Sequence, residues 1–412
     1  MRLHLALSAL WIGQAVSVLA GGFELRLLGV RQLGMGHAGA GFAADAAAAW
    51  LNPGALCLVP RNSVVFGGGA VTPVTAFLAQ TPSVYSAASE LQVLSPIYLH
   101  ASLGGTRDLG QWRVRFGLSV TTPYLSSIRW PDTWKGRFIS QEFSFSTLFV
   151  QPVVSFTRGS RLGIGLGFSL GWGNLLVRRA IQADGPNGTQ GSVRFAGTGL
   201  GAGLSLGLLY HVNGTLSLGA TLRSGVMIRL RQGSIRFDVP ESLESQYPDG
   251  TFSASLPLPP SLTLGIGYQP DPRLRLALDL SFYGWESFES LHLLPDSPAY
   301  DIQEFPERNF RNTLTLSLGG EYSVNEVLRV RAGWYYDGSP VAQGYVSPDL
   351  PDATRIGLTA GAGVRLSRHL QADLAYAYEF TGERTAILDA AVFGGAYESF
   401  VYKLGLGLVY TF

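Results

Sequence analysis

The feature that most constrains this chain is an alternation of apolar and small or polar residues with a period of two. In the stretch 400–412, Phe400, Tyr402, Leu404, Leu406, Leu408, Tyr410 and Phe412 alternate with Val401, Lys403, Gly405, Gly407, Val409 and Thr411. That is the spacing of a β-strand with two different faces, not the 3.6 of a helix. The same ladder runs through Leu162, Ile164, Leu166, Phe168, Leu170 and Trp172, and through Ile356, Leu358, Ala360, Ala362, Val364 and Leu366. Alternation alone does not separate a soluble sandwich from a membrane barrel, because the apolar face meets either another sheet or lipid. Length separates them: segments of about 10 to 14 residues, rising about 3.3 Å each at a tilt near 40°, cross a bilayer.

The connections point the same way. Short turns are expected at 158–161, 211–214, 269–273, 323–326 and 367–369. Long connections are expected at about 72–91, 123–141, 178–195, 230–256, 286–310, 338–354 and 381–399. Their strict alternation predicts roughly fourteen antiparallel strands, with short turns on the periplasmic side and long loops outside. An even count closes the sheet and leaves no exposed edge. Trp112, Trp172, Trp285, Trp334, Tyr268, Tyr378 and Tyr402 lie toward strand ends, where amphipathic rings suit the lipid–water boundary. Charged residues make up 14% of the chain, below the roughly 25% of soluble domains. No apolar run past residue 20 is long enough for a spanning helix. The net charge of +1 offers nothing for nucleic acid to bind.

Residues 1–20 read as a signal peptide: Met1, Arg2 and His4, an apolar stretch from Leu5 to Leu19, then cleavage after Ala20. Cys57, the single cysteine, rules out an internal disulfide and reads as a small buried thiol. His37, His100, His211, His292 and His369 are scattered without metal-ligand spacing. No nucleophile–base signature is visible, so neither cofactor, metal nor catalytic residues are expected. Gly34-Met35-Gly36-His37-Ala38-Gly39 fits GxGxxG, but no strand or βαβ unit surrounds it. By the alternation Arg113, Arg115, Arg275, Arg329, Arg331, Arg355 and Arg365 face inward with Asp279, Glu321, Asp337, Asp373 and Glu379. Most should form lumen ion pairs, leaving one or two arginines for a substrate carboxylate.

Residues 21–60 break the barrel pattern, with Gly21-Gly22-Phe23, the Leu33–Gly39 glycine cluster, an alanine run around Asp45, and Trp50-Leu51-Asn52-Pro53-Gly54. With Leu256-Pro257, Leu264–Tyr268, Gly319-Gly320-Glu321-Tyr322 and Arg331–Asp337, this segment resembles the FadL-type family of outer-membrane long-chain fatty acid and hydrocarbon transporters. Asn52-Pro53-Gly54 stands where that family usually shows Asn-Pro-Ala.

The resemblance implies an all-β, fourteen-stranded barrel over 61–412, plugged by an N-terminal hatch at 21–60. It also implies an internal ligand site near the hatch, and lateral exit beside a kinked third strand, here about Trp112 to Thr122. Phe23, Leu25, Arg113, Arg115 and Arg331 are the ligand-binding candidates, and Gly117 and Pro123 mark the exit strand. Leu125, Ile128, Trp130, Trp134 and Phe138 are expected to collect substrate at the surface. The expected partners are a long-chain fatty acid or another hydrophobic molecule, outer-membrane lipid, and the assembly machinery through Phe412, acting on a monomer. Aromatic hydrocarbons are the alternative substrate. A lipid-acting enzyme and a structural barrel are the alternatives of other classes.

Overall fold

The computed structural model describes residues 22–79, 86–104, 112–183, 190–288, 291–296, 309–342, 344–388 and 393–412. The expected signal peptide and its cleavage site lie outside these residues.

The chain folds into a closed antiparallel barrel of fourteen strands. In chain order they are β1 (Ser63–Ala79), β2 (Ile97–Leu103), β3 (Trp112–Thr121), β4 (Glu142–Arg158), β5 (Leu162–Gln182), β6 (Gln190–His211) and β7 (Leu216–Arg223, continued by Val226–Asp238). Then come β8 (Gly250–Leu258, continued by Ser261–Asp271), β9 (Leu274–Tyr283), β10 (Thr313–Ser323), β11 (Leu328–Asp337), β12 (Arg355–Arg365), β13 (Leu370–Thr381) and β14 (Phe393–Thr411). Each pairs with its neighbours, and β1 pairs with β14 from Ser63↔Thr411 to Ala79↔Gly395, which closes the sheet. In hydrocarbon that closure is obligatory, because an unpaired edge would leave backbone donors and acceptors without partners.

Side chains on the outer face are apolar and exposed, as the alternation requires: Leu166, Phe168, Leu170 and Trp172 on β5, and Leu404, Leu406 and Leu408 on β14. The short turns fall where expected. The long side differs in part, because β5 and β6 run to 21 and 22 residues and stay paired out to Gln182↔Gln190. Much of the expected loop 178–195 is therefore a sheet projecting beyond the bilayer. Trp285 departs from the aromatic belt; it is fully buried in a short 3-10 turn, Trp285–Ser287, packed on Phe23.

The described part of the N-terminal segment, 22–60, packs against the inward faces of the strands through helix α1 (Val30–Gly34), helix α2 (Ala48–Leu51) and a 3-10 turn at Pro53–Leu58. Inward-facing glycines make room for it. At Gly333 and Gly319 a methyl group would overlap the Met35–Gly36 backbone, at Gly219 and Gly267 that of Ala40–Gly41, and at Gly163, Gly165 and Gly207 that of Pro53–Gly54. These windows bring two backbones to contact distance, which no residue with a Cβ permits.

A Gly333→Val variant should overpack this contact at a cost of about 1–3 kcal/mol. The expected outcome is an unchanged β-sheet circular dichroism spectrum with faster tryptic cleavage at Arg26 and Arg31. Gly214→Val, at a turn glycine with open space around it, should leave cleavage unchanged.

Candidate functional site

Strand β3 runs in regular register with both neighbours through Gly117, which pairs with Ser102 and Val153. The register then breaks. Thr121 pairs with Phe149 of β4, and pairing resumes with Leu125↔Ser146 in the short strand Leu125–Arg129, so four residues of one strand advance against three of the other. Pro123 stands at the break, where its missing N–H interrupts a ladder. Gly117 does not mark the kink; a methyl there would strike Leu56 of the N-terminal segment.

The N-terminal segment repairs the broken strand. Glu24 pairs antiparallel with Tyr124, the Leu25 N–H donates to Pro123 O (2.7 Å), and the Leu125 N–H donates to Phe23 O (3.1 Å). On the other side, the stretch ahead of β2 is held to β1 by the Val71↔Leu94 bridge. Among the described residues, one backbone hydrogen bond, Glu90 N–H to Arg129 O (2.7 Å), ties 88–96 to 123–129. The wall is thus thinly paired above Thr122.

A cleft opens at this place. Its lining includes Phe23, Leu25, Val71, Leu94, Leu125, Ile128 and Leu350, with Arg355 and Lys403 among its polar residues, and it holds about 850 Å³ of empty space counted out to its mouth. Phe23 is fixed by edge-on contacts with Trp285 (5.0 Å), Phe288 (5.4 Å) and Phe145 (5.5 Å). Arg355 donates to Asp352 Oδ1 (2.7 Å) and Gly22 O (2.9 Å), and Lys403 pairs with Glu379, which also accepts from the Tyr335 hydroxyl. Lys403 was hidden in the sequence as one polar rung of the last ladder; its inward position was the available signal.

Behind Glu24 lies a second cavity of mixed lining, where Arg26, His37, Arg223 and Asp279 stand beside Leu28, Trp50 and Leu51. Glu24 borders both. Its carboxyl is pushed up to about 7 by burial, which nearby Arg26 offsets only in part. Burial holds His37 well below the usual histidine range. Glu24 Oε2, both His37 ring nitrogens and Asp279 Oδ1 have no partner among the described residues.

Of the expected binding residues, Phe23 and Leu25 line the cleft, whereas Arg113, Arg115 and Arg331 stand apart from it. Arg113 donates to Gly159 O (2.8 Å) at a short turn, and Arg115 to Val59 O (2.5 Å) beneath the N-terminal segment. Arg331 is spent on Glu321 (2.8 Å) and Asp373 (2.6 Å), in a network that Arg31 joins through Glu321 (2.7 Å) and Asp45 (3.6 Å). The expected surface collectors are also placed differently. Leu125 and Ile128 line the cleft, while Trp130 and Trp134 are buried, stacked at 4.5 Å, with Trp130 donating to Pro348 O (2.8 Å). Asn52 ties the segment to β6: its amide donates to Ala40 O (2.8 Å) and Leu208 O (2.9 Å) and accepts from Gly54 N–H (3.0 Å). Cys57 is buried, its thiol directed at Arg113 O (3.2 Å).

Asn52→Leu strands those partners, at about 1–3 kcal/mol for each group left unpaired, and should lower the thermal midpoint. Glu24 gives a pH dependence. A carboxyl raised on burial favours the seated state below its free value near 4.5 and loses that contribution as pH rises through about 7. Hydrogen exchange at the Leu25 and Leu125 amides, corrected for intrinsic rate, should accelerate across this window by up to about tenfold per pH unit. In Glu24→Gln the dependence should vanish.

Three comparisons bear on this arrangement. A long-chain fatty acid transport protein of Escherichia coli O6:H1 (strain CFT073) is 22% identical over 95% of this chain and 94% of its own. The crystal structure of a Pseudomonas aeruginosa FadL homologue superposes with a TM-score of 0.82 at 20% identity, covering 95% of this chain and 100% of that one. The P. putida toluene transporter TodX gives 0.70 at 18% identity, covering 96% and 99%. The family described as outer membrane protein transport protein (OMPP1/FadL/TodX) matches residues 12–412, and the chain belongs to it: this is a bacterial outer-membrane channel for hydrophobic molecules, not an enzyme.

Proposed function

We propose that the channel takes up long-chain fatty acids passively, that residues 21–60 act as its hatch, and that substrate leaves sideways beside β3. The observation that carries this reading is the cleft itself, whose apolar walls reach the thinly paired wall at Leu94 and Leu125–Ile128. Its two cations, Arg355 and Lys403, are paired with Asp352 and Glu379, so the match is to the alkyl chain of the substrate rather than to its charged end. An 18-carbon chain gains roughly 0.8 kcal/mol for each methylene withdrawn from water, so release is harder than capture. Inward of Glu24 the second cavity carries Arg26, Arg223 and Asp279 beside Leu28, Trp50 and Leu51, so it suits an alkyl chain less well than hydrocarbon does. The sideways path ends in hydrocarbon. Because Phe23–Leu25 pairs with the edges of the kink, withdrawing this segment would loosen the cleft floor and the wall together. Aromatic hydrocarbons are the second reading, favoured by Phe23, the one ring of its cluster with Phe145, Trp285 and Phe288 that lines the cleft.

Uptake of radiolabelled oleate and toluene by cells lacking their own transporter tests the substrate. Oleate uptake that depends on this protein is expected, and toluene uptake alone would favour the second reading. The route is tested by a cross-link. Glu24 and Tyr124 form a non-hydrogen-bonded antiparallel pair, whose Cα separation of about 4.5 Å suits a disulfide. In a Cys57→Ser background, oxidised Glu24→Cys/Tyr124→Cys should block uptake and a reductant should restore it. Unchanged uptake in the oxidised form would exclude hatch movement at this point.

A further inference from the structure

On the outer face of the barrel, above the apolar belt on the long-loop side, arginines stand where the sheet can least accommodate them. Arg178 of β5, Arg194 of β6 and Arg236 of β7 occupy one cross-strand row, each directly opposite the next. Arg178 is neutralised by Asp132 and by Glu142, its partner on β4. Arg194 and Arg236 are exposed and form no ion pair with any described residue. Like charges directly opposite each other destabilise a strand pair. Arg229 and Arg231 extend the patch downward on β7, both exposed and both without an ionic partner among the described residues. Acids stand nearby as well: Asp238 shares the face, Asp249 precedes Gly250, the partner of Ile235, and accepts from the Phe237 N–H, and Asp296 accepts from the Thr251 hydroxyl. Within the ion-pair distance of 4 Å none of the four arginines Arg194, Arg229, Arg231 and Arg236 meets an acid among the described residues.

The patch has a fixed height. Arg229 lies in the row of Trp172 and Leu200, which are 51% and 58% exposed on the lipid-facing wall. An exposed tryptophan over an apolar belt marks the hydrocarbon boundary. Arg194 sits six residues beyond Leu200 on the same strand, or about 15 Å higher at ~3.3 Å per residue and ~40° tilt. The four unpaired guanidiniums therefore begin at the boundary of the outer leaflet and rise through the headgroup layer. Guanidinium groups match phosphate in charge and planar geometry.

We infer that Arg194, Arg229, Arg231 and Arg236 form a binding site for the phosphate groups of an outer-leaflet glycolipid, whose acyl chains lie against Leu200, Leu204 and Met227. The occupant is a lipid rather than free phosphate because the charged patch continues directly into the lipid-facing wall. It does so on the same strands, with Met227 two residues below Arg229.

The test uses the folded, full barrel in detergent, with thermal unfolding followed during titration by four probes. These are a phosphorylated lipid A-type glycolipid, the same glycolipid dephosphorylated, phosphatidylglycerol, and inorganic phosphate. The phosphorylated glycolipid should raise the midpoint most. Arg194→Gln/Arg236→Gln should weaken that binding roughly thirtyfold, at about fivefold for each basic side chain removed near an anionic lipid layer. The single Arg194→Gln, which also relieves the facing like charges, keeps the test valid should the double variant assemble poorly. An equal shift from the dephosphorylated glycolipid, phosphatidylglycerol or inorganic phosphate would overturn the proposal. So would unchanged binding in both variants.

Discussion

The structure depends on one constraint: inside a bilayer every backbone donor and acceptor must find its partner within the protein. Closure of β1 on β14 meets it around the circumference. The third strand does not meet it alone, because Pro123 supplies no N–H and the register slips beside it. The missing pairing comes from inside the barrel, through the Leu25 N–H to Pro123 O and the Leu125 N–H to Phe23 O. A defect in the wall and the first residues of the inner segment are thereby one structural unit. Whatever displaces Phe23–Leu25 also unpairs the wall, so coupling between them needs no long-range path.

The inner segment is held by two kinds of contact, which differ in how they tolerate movement. The glycine windows at Gly163, Gly165, Gly207, Gly319 and Gly333 are steric seats, and with Asn52 they hold the part nearest the short turns. The ion pairs of Arg31 and Arg331 with Glu321, Asp45 and Asp373 are buried charge contacts, whose desolvation cost makes them weak net contributors but whose rupture leaves a costly unpaired charge. Both anchor residues beyond Val30. The stretch from Gly22 to Leu28, bordering the cleft and the second cavity, is held by two backbone bonds at the kink, by aromatic edges around Phe23, by Arg355 at Gly22, by Arg26 donating to the Tyr283 hydroxyl (3.3 Å), and by His100 Nε2 at Leu28 O (2.8 Å).

Much of the barrel was legible in the sequence because strand periodicity is local. Alternation is printed residue by residue, and short turns punctuate it, so strand number and facing follow without tertiary information. The lumen ion pairs were also legible as a class. Their membership was not, since partners such as Arg31 and Glu321 are brought together by closure alone. The same limit misplaced Trp285, which has the composition of a belt residue yet turns inward at the end of β9, and Trp130 and Trp134, which stack beneath the loops instead of facing outward. Arg113, Arg115 and Arg331 read as available cations because a sequence shows charge but not engagement.

The sequence by itself determined a membrane-crossing β-barrel, its strand order and inward face, and an N-terminal stretch that obeys a different pattern. Only the tertiary structure decided which segment fills each window, that the kink falls at Pro123 rather than Gly117, and that Arg355 and Lys403 line the cleft. The facing of Arg194 against Arg236 was likewise settled by register. Each of these depends on how distant strands align once the sheet has closed, and alignment across a sheet is a property of pairs of segments that neither carries alone.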